Sequence, residues 1–491
     1  MIYSNWTAFF LRKGVMVILL LLSGISSHSI GQSTDLSVDF IGVGSTSDQT
    51  PFWIQSNRFG QYSTDGNQVL TRIQAHSSVL PENSSIFNIN YGADLIARPG
   101  PQQTLSFNQA YLKIRAYAIE FSGGRFHARN PIHDERLSMG SLGVSGNSVP
   151  VPQVRLGIPE WTGVPFTNDY VQIRAHVAHG WLEKDRYTKS PLYHEKVGHV
   201  RFGGNFPLNI YSGLAHYAMW GGYDNPAYGE LPAKFSDFFR VFAGKGGDIR
   251  APEVEADYLL GDHLGAWDFG FFLDLNNISM TFYRQMPLET KDNLKLQSPQ
   301  DALNGLSLQF DESLGLPIAG LTYEFMYTKW QDGPRRENVL EDGTRCFDFP
   351  ERCRDRFQGN ENYYNHSIYR TGWATHGRTM GNPLFLTSRV PVTSSTYGII
   401  NNRIVAHHLG VEAEIFDMNV VGKMTYSRNY GIRENPLPEP ENQISLGLFM
   451  YRNIILFDRP LTLLTDVAFD SGDLFGSQFG ASLGLRWSLK Q

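Results

Sequence analysis

The sequence predicts an all-β chain: an antiparallel transmembrane barrel of about eighteen strands, with long loops at one end and an occluded lumen. Three observations lead there. Apolar and polar residues alternate strictly over segments of roughly ten residues, the length a tilted strand needs to cross a bilayer. The N-terminus reads as an export signal. Beyond it no apolar run is long enough for a transmembrane helix, and mean hydropathy is −0.28.

At the N-terminus, Arg12 and Lys13 precede the apolar run Val15–Leu22, and Ser29-Ile30-Gly31 supplies small residues for cleavage before Gln32. The run falls well short of the roughly 20 residues of a membrane span, so residues 1–31 are expected to be a signal peptide. No cysteine follows it to carry a lipid anchor. The barrel domain is then 32–491.

Alternation comes first in Phe87, Ile89, Tyr91, Ala93 and Leu95, set against Asn88, Asn90, Gly92, Asp94 and Ile96. It returns in Leu321, Tyr323, Phe325 and Tyr327 against Thr322, Glu324, Met326 and Thr328. A third case sets Val420, Gly422, Met424 and Tyr426 against Val421, Lys423, Thr425 and Ser427. Period-2 patterning puts one residue type on each face of a strand, here one face to lipid and one to the lumen. In order, the predicted strands are 35–44, 69–80, 86–98, 105–116, 118–128, 171–182, 194–206, 208–220, 265–275, 277–285, 305–311, 317–330, 403–416, 418–430, 442–452, 459–469 and 477–489.

That number is odd, whereas single-chain bacterial barrels use even numbers. The short turns at 81–85, 117, 207, 276, 312–316 and 417 share one end only if a further strand lies between 128 and 171. Val151–Gly157 supplies it despite Pro152. With the N-terminus in the periplasm, the long connections 45–68, 129–150, 221–264 and 331–402 become extracellular. Within the third, 232–243 forms a short amphipathic helix with Phe235, Phe238, Phe239 and Phe242 on one side, read as a loop helix packed on the barrel.

The net charge of −6 and the lack of a Lys/Arg-rich run argue against nucleic acid as a partner. The 13% aromatic content suits interfacial girdles and sugar stacking alike. Cys346 and Cys353, the only cysteines, share one polar segment and are expected to form a loop disulfide in an exported chain. They make no zinc site without patterned histidines nearby, and no cofactor is expected.

No GxSxG elbow, HExxH helix or phosphate-cradling glycine loop is present. Glu412 and Glu414 share a strand face but read as a solvated lumen wall. The histidines at 176, 179, 194, 199, 216, 407 and 408 read as hydrogen-bonded lumen residues. The richest segment is 359–385. Tyr363, Tyr364, Tyr369 and Trp373 interleave there with Asn365, His376, Arg378 and Asn382, and Gly372, Gly377 and Gly381 permit sharp turns. Sugars offer flat C–H patches to aromatic faces and hydroxyl fans to amide, guanidinium and imidazole groups. These eight residues are the candidate polysaccharide contacts. The same aromatics would equally serve to hold a loop folded inward as a plug.

Five stretches carry a resemblance: PFWIQSNRFG at 51–60, LSMGSLGVSGNSVPVPQVRLGIPEW at 137–161, AHGWLEKDR…LYHEKVGHVRF at 178–202, GLAHYAMWGG at 213–222 and YYNHSIYRTGW…GRTMGNPLF at 363–385. The chain resembles the capsule assembly protein Wzi family in its Bacteroidetes form. The resemblance implies an eighteen-stranded outer-membrane barrel that is lectin-like and binds capsular polysaccharide. It also implies a barrel occluded by outer loops and by small periplasmic helices. Strand-like sequence from Leu36 onward departs from the last feature. The expected partners are surface polysaccharide, outer-membrane lipid and the barrel-assembly machinery. The alternatives are a porin-like channel lined by Glu324, Glu412, Glu414 and Lys423, and a surface hydrolase.

Overall fold

The computed structural model describes residues 34–77, 86–99, 104–128, 130–289, 296, 299–332, 339–340, 342–346, 348, 361–456 and 459–490; the segment 1–31, expected to be a signal peptide, lies outside them. Eighteen antiparallel strands form one sheet. They are β1 (Thr34–Ser45), β2 (Gln68–Ser77), β3 (Phe87–Arg98), β4 (Thr104–Ala116), β5 (Ile119–Arg125) and β6 (Gln153–Gly163). Next come β7 (Val171–Trp181), β8 (Leu192–Phe202), β9 (Leu208–Trp220), β10 (Asp262–Leu275), β11 (Ile278–Leu288) and β12 (Ala302–Phe310). The last six are β13 (Ile318–Tyr327), β14 (Ile404–Ile415), β15 (Met418–Gly431), β16 (Pro436–Leu456), β17 (Arg459–Gly472) and β18 (Gln478–Lys490). Each pairs with its sequence neighbours, and β1 pairs with both β2 and β18, for example Phe40 opposite Leu485. That pairing closes the sheet and removes both edges.

The strand inferred from topology is β6, longer than expected, and Pro152 sits just before it rather than inside it. A proline there removes no ladder donor. The β14–β15 hairpin turns on Phe416 and Asp417, both with left-handed backbone, which matches strand twist in a two-residue turn. Tyr117, Phe166, Tyr170, Phe206 and Phe416 stand exposed in the connections at this end, as a membrane-interface aromatic girdle would. The long connections lie at the opposite end.

The two faces of the sheet differ as the alternation requires, but the lumen face is the drier one. On β13, Thr322, Glu324 and Met326 are fully buried while Tyr323 is 43% exposed on the outer side. On β15, Val421, Lys423, Thr425 and Ser427 are buried and Met424 and Tyr426 are exposed. An apolar cluster including Trp53, Ile54, Leu137, Met139, Leu142, Tyr217, Met326 and Trp373 occupies the interior, so the core of this protein sits inside its barrel.

The histidine expectation needs correction. His176, His199 and His408 do turn inward: His176 meets Glu195 at 2.9 Å, and His408 meets the Leu137 carbonyl at 2.7 Å. His199 lies 3.5 Å from Asp268. Register places His179, His194, His216 and His407 on the outer wall instead. Residues an odd number apart on one strand cannot share a face, so 176/179, 194/199 and 407/408 had to divide.

Candidate functional site

Four connections fold over and into the long-loop end. The first, 46–67, carries the one-turn helix α1 (Phe52–Gln55), whose Phe52 N–H donates to Asp470 on the barrel wall at 2.8 Å. Arg58 pairs with Asp466 at 3.2 Å.

The second connection, 130–152, goes deepest. Glu324 on β13 accepts from Ser138 Oγ at 2.7 Å, from the Met139 N–H at 2.5 Å and from Tyr283 at 2.5 Å. Lys423 donates to the Ser138 carbonyl at 3.2 Å, and Arg136 pairs with Glu412. On the other wall, Gln285 accepts from the Leu142 N–H at 3.0 Å, and Asp268 accepts from Asn130 at 2.8 Å. The inward-facing charges Glu324, Glu412 and Lys423, candidates for a pore lining, thus hold this segment; Glu414 is exposed near the turn end. Gly410 admits the approach, because a Cβ there would lie 2.4 Å from the Leu137 carbonyl oxygen.

The third and fourth connections, 361–402 and 182–191, lock together. Arg186 donates to the carbonyls of Gly372 (3.0 Å) and Ala374, and Thr188 donates to that of Ile368 at 2.9 Å. Thr375 donates to Glu183 at 2.6 Å. Burial works to raise the Glu183 carboxyl, but Arg186 and Thr375 outweigh it and hold the group below its ordinary range. Segment 361–402 also bonds to 130–152: Ser145 N–H to the Met380 carbonyl at 2.8 Å, and Asn382 to the Gly140 carbonyl at 2.6 Å. Asn57 completes the ring by donating to the Met139 carbonyl at 2.9 Å.

This packing decides what the eight candidate residues can do. Tyr363, Tyr364, Tyr369, Trp373 and Asn382 are buried. The Tyr363 hydroxyl donates to Asp301 at 2.7 Å, Tyr369 to the Gly221 carbonyl at 3.2 Å, and Tyr364 to the Leu142 carbonyl. Trp373 lies between Tyr193 and Tyr217 of the wall, with ring centroids 5.7 and 5.6 Å away. Faces filled in this way hold the segment and have no room for a sugar. Arg378 is half-buried and donates to the carbonyls of Gln55 and Tyr62 at 3.1 and 2.8 Å; burial lowers its guanidinium to about 10. Asn365 is half-buried, and His376 alone of the eight is exposed. Cys346 is buried and disulfide-bonded; Cys353 lies outside the described residues.

A second aromatic set is less buried than these rings. Arg370 stands 4.8 Å from the Tyr397 ring centroid and 6.0 Å from that of Tyr187, and it donates to the Thr396 carbonyl at 3.3 Å. All three side chains are half-exposed. Tyr187 and Tyr397 come from different connections, so no local pattern pointed to them. A groove of about 400 Å³ around Gly422, lined by Leu409, Val411, Met424, Leu446 and Leu448, faces outward and is apolar, unlike a sugar site.

The profile of the family described as capsule assembly protein Wzi matches residues 45–344, more than half of the chain. No curated protein matches the sequence. Among solved structures, the fold is similar to Escherichia coli Wzi, described as an outer-membrane protein involved in group 1 capsule assembly and as a carbohydrate-binding β-barrel. The TM-score is 0.55 at 15% identity, over 91% of this chain and 83% of that one. Pseudomonas aeruginosa OccK3 (OpdO) aligns with a TM-score of 0.49 at 8% identity, over 96% of this chain and 99% of that one.

Proposed function

The chain belongs to the capsule assembly protein Wzi family and is an outer-membrane β-barrel, and from that premise we propose that it binds surface polysaccharide at its long-loop end and helps keep the polymer attached to the cell. The long loops then face outward. The observation that carries this reading is the Tyr187–Arg370–Tyr397 stack, half-exposed on a loop cluster that buried packing holds rigid. A pyranose ring could lay its C–H face on either tyrosine while the guanidinium meets its hydroxyl or acidic groups. His376, Arg378 and Asn365, which are exposed or half-buried, are further contacts, and Tyr363, Tyr364, Tyr369, Trp373 and Asn382 act by holding the loop cluster in place. Each repeat unit contributes a weak contact, and repetition along the polymer multiplies them. The protein acts by binding rather than by catalysis.

We further infer a closed lumen, a reading supported by the full burial of Thr322 and Glu324 on the inner wall. A water-filled channel would leave such residues wet. The deciding experiment is polysaccharide retention in a clean deletion strain complemented with the wild-type or Tyr187→Ala/Tyr397→Ala chain. Total polymer should stay constant while the cell-bound share falls in the deletion and in the double variant. Full retention in the deletion strain would falsify the attachment role.

A further inference from the structure

The connection 221–261 does not join the lumen cluster as a whole; part of it folds back over the outside of the barrel. It carries two helices, α2 (Phe235–Phe242) and α3 (Glu253–Asp257). Val241 packs fully buried with Ala218, Trp220 and Leu260, and Phe238 packs against the same cluster. Phe238 also meets His179 and His194 at ring distances of 5.8 and 5.3 Å, and Phe242 meets His194 at 5.6 Å. His179, His194, Ala218 and Trp220 all belong to the outward face of β7–β9, so α2 rests on the wall that faces lipid.

The remaining sides of α2 are sorted. Phe235, Phe239 and Phe242 are 78%, 55% and 39% exposed, and helical spacing puts them on one stripe beside the wall-contacting Phe238 and Val241. Ser236 and Arg240 lie on the side turned away from the wall. The helix is firmly held: buried Asp237 accepts from the Lys234 backbone N–H at 2.9 Å and pairs with Arg250 at 2.7 Å. Lys196, on the outer wall, donates to the Phe242 carbonyl and lies 4.6 Å from its ring. Lys234 and Lys245 at the two ends of the helix are exposed.

Height completes the picture. Eight residues of β8 separate Phe202, near the short-turn end, from His194 beneath the helix. At a rise near 3.3 Å per residue and a tilt near 40°, that is roughly 20 Å along the membrane normal, close to the top of an apolar band about 25 Å tall. Three exposed phenylalanines beside a lipid-facing wall at that level, with lysines at the helix ends, form the pattern of an interfacial helix.

We propose that α2 is a membrane-surface foot, which sinks Phe235, Phe239 and Phe242 into the acyl–headgroup boundary of the leaflet at the long-loop end. Lys196, Lys234 and Lys245 lie within reach of its anionic headgroups. The occupant is lipid because the phenylalanine stripe continues the barrel's own lipid-facing surface. Its consequence is to fix the height of the loop cluster above the membrane.

The test uses the full-length barrel refolded into phosphatidylcholine vesicles containing a minority of phosphatidylglycerol. Phe239→Cys and Ser236→Cys would each carry an environment-sensitive fluorophore, and heat-modifiable gel migration would confirm folding. Lipids with a nitroxide high on the acyl chain should quench the label at 239 at least about threefold more than the label at 236, and aqueous iodide should show the reverse. Iodide quenching of both labels with no nitroxide effect would overturn the proposal. So would a label at 239 shielded from both quenchers and cross-linking between protomers, which would assign the stripe to a second copy.

Discussion

The Trp373 indole Nε1 donates to the Gly143 carbonyl oxygen at 2.7 Å, joining two connections 230 residues apart inside the barrel. The contact is possible because residue 143 is glycine: a Cβ there would fall 2.4 Å from the Tyr217 ring. The indole thus sits where two loops and the wall meet.

Trp373→Ala should therefore loosen the loop cluster and leave the barrel intact. Truncating a buried tryptophan typically costs about 3–5 kcal/mol, and the orphaned Gly143 carbonyl adds to that. Limited proteolysis should cut within 361–402 in the variant and spare it in the wild type, while heat-modifiable migration stays unchanged. Pairing it with Tyr369→Ala should release surface polysaccharide into the medium without unfolding the barrel.

The surface stack should behave in the opposite way. Arg370→Ala and Tyr397→Ala remove half-exposed groups, so each should change stability by less than about 1 kcal/mol. Polysaccharide binding by the purified barrel should nonetheless fall several-fold. Unchanged binding in both variants would move the contact site elsewhere on the loop end.

Glu324 gathers Ser138, Met139 and Tyr283, so it should control whether the lumen is filled. In planar bilayers the wild type should conduct almost nothing. Glu324→Ala combined with Arg136→Ala and His408→Ala should produce stable open steps, because the side-chain anchors of 130–152 to the β13–β14 wall are then gone. A wild type that conducts as an open porin would sink the closed-lumen reading.

Asp301 should make the loop cluster sensitive to pH. Burial pushes its carboxyl up to about 7, against hydrogen bonds from Tyr363, Gln331 and Trp330 that pull it down. A carboxyl raised in the folded state keeps its proton there while the unfolded chain loses its own. Stability contributed by the protonated form is therefore complete below the ordinary value of 3.8 and drains away as pH rises to about 7. The loss can reach about 4 kcal/mol, and hydrogen exchange in 361–402 should quicken across that window. Asp301→Asn should flatten the dependence.

Strand number, face parity and the end bearing the long loops were all legible in the sequence. They rest on period-2 alternation and short turns, which are local: Thr322, Glu324 and Met326 turn inward and Tyr323 outward whatever fills the lumen. The inferred strand before Gly157 came from the same logic of even closure. Even the split of the histidines was implicit in odd spacing, though clustering by proximity concealed it. Which aromatics would be buried was not legible. Tyr363, Tyr369 and Trp373 look like Tyr187 and Tyr397 in sequence, and their fates differ only because 46–67, 130–152, 182–191 and 361–402 meet in space. The phenylalanine stripe of α2 was visible as amphipathic, yet its placement outside the wall depended on Ala218 and Trp220 receiving Val241. Alternation along one strand is set by the geometry of its own backbone; burial of a loop side chain is set by partners hundreds of residues away, and only the closed barrel brings them together.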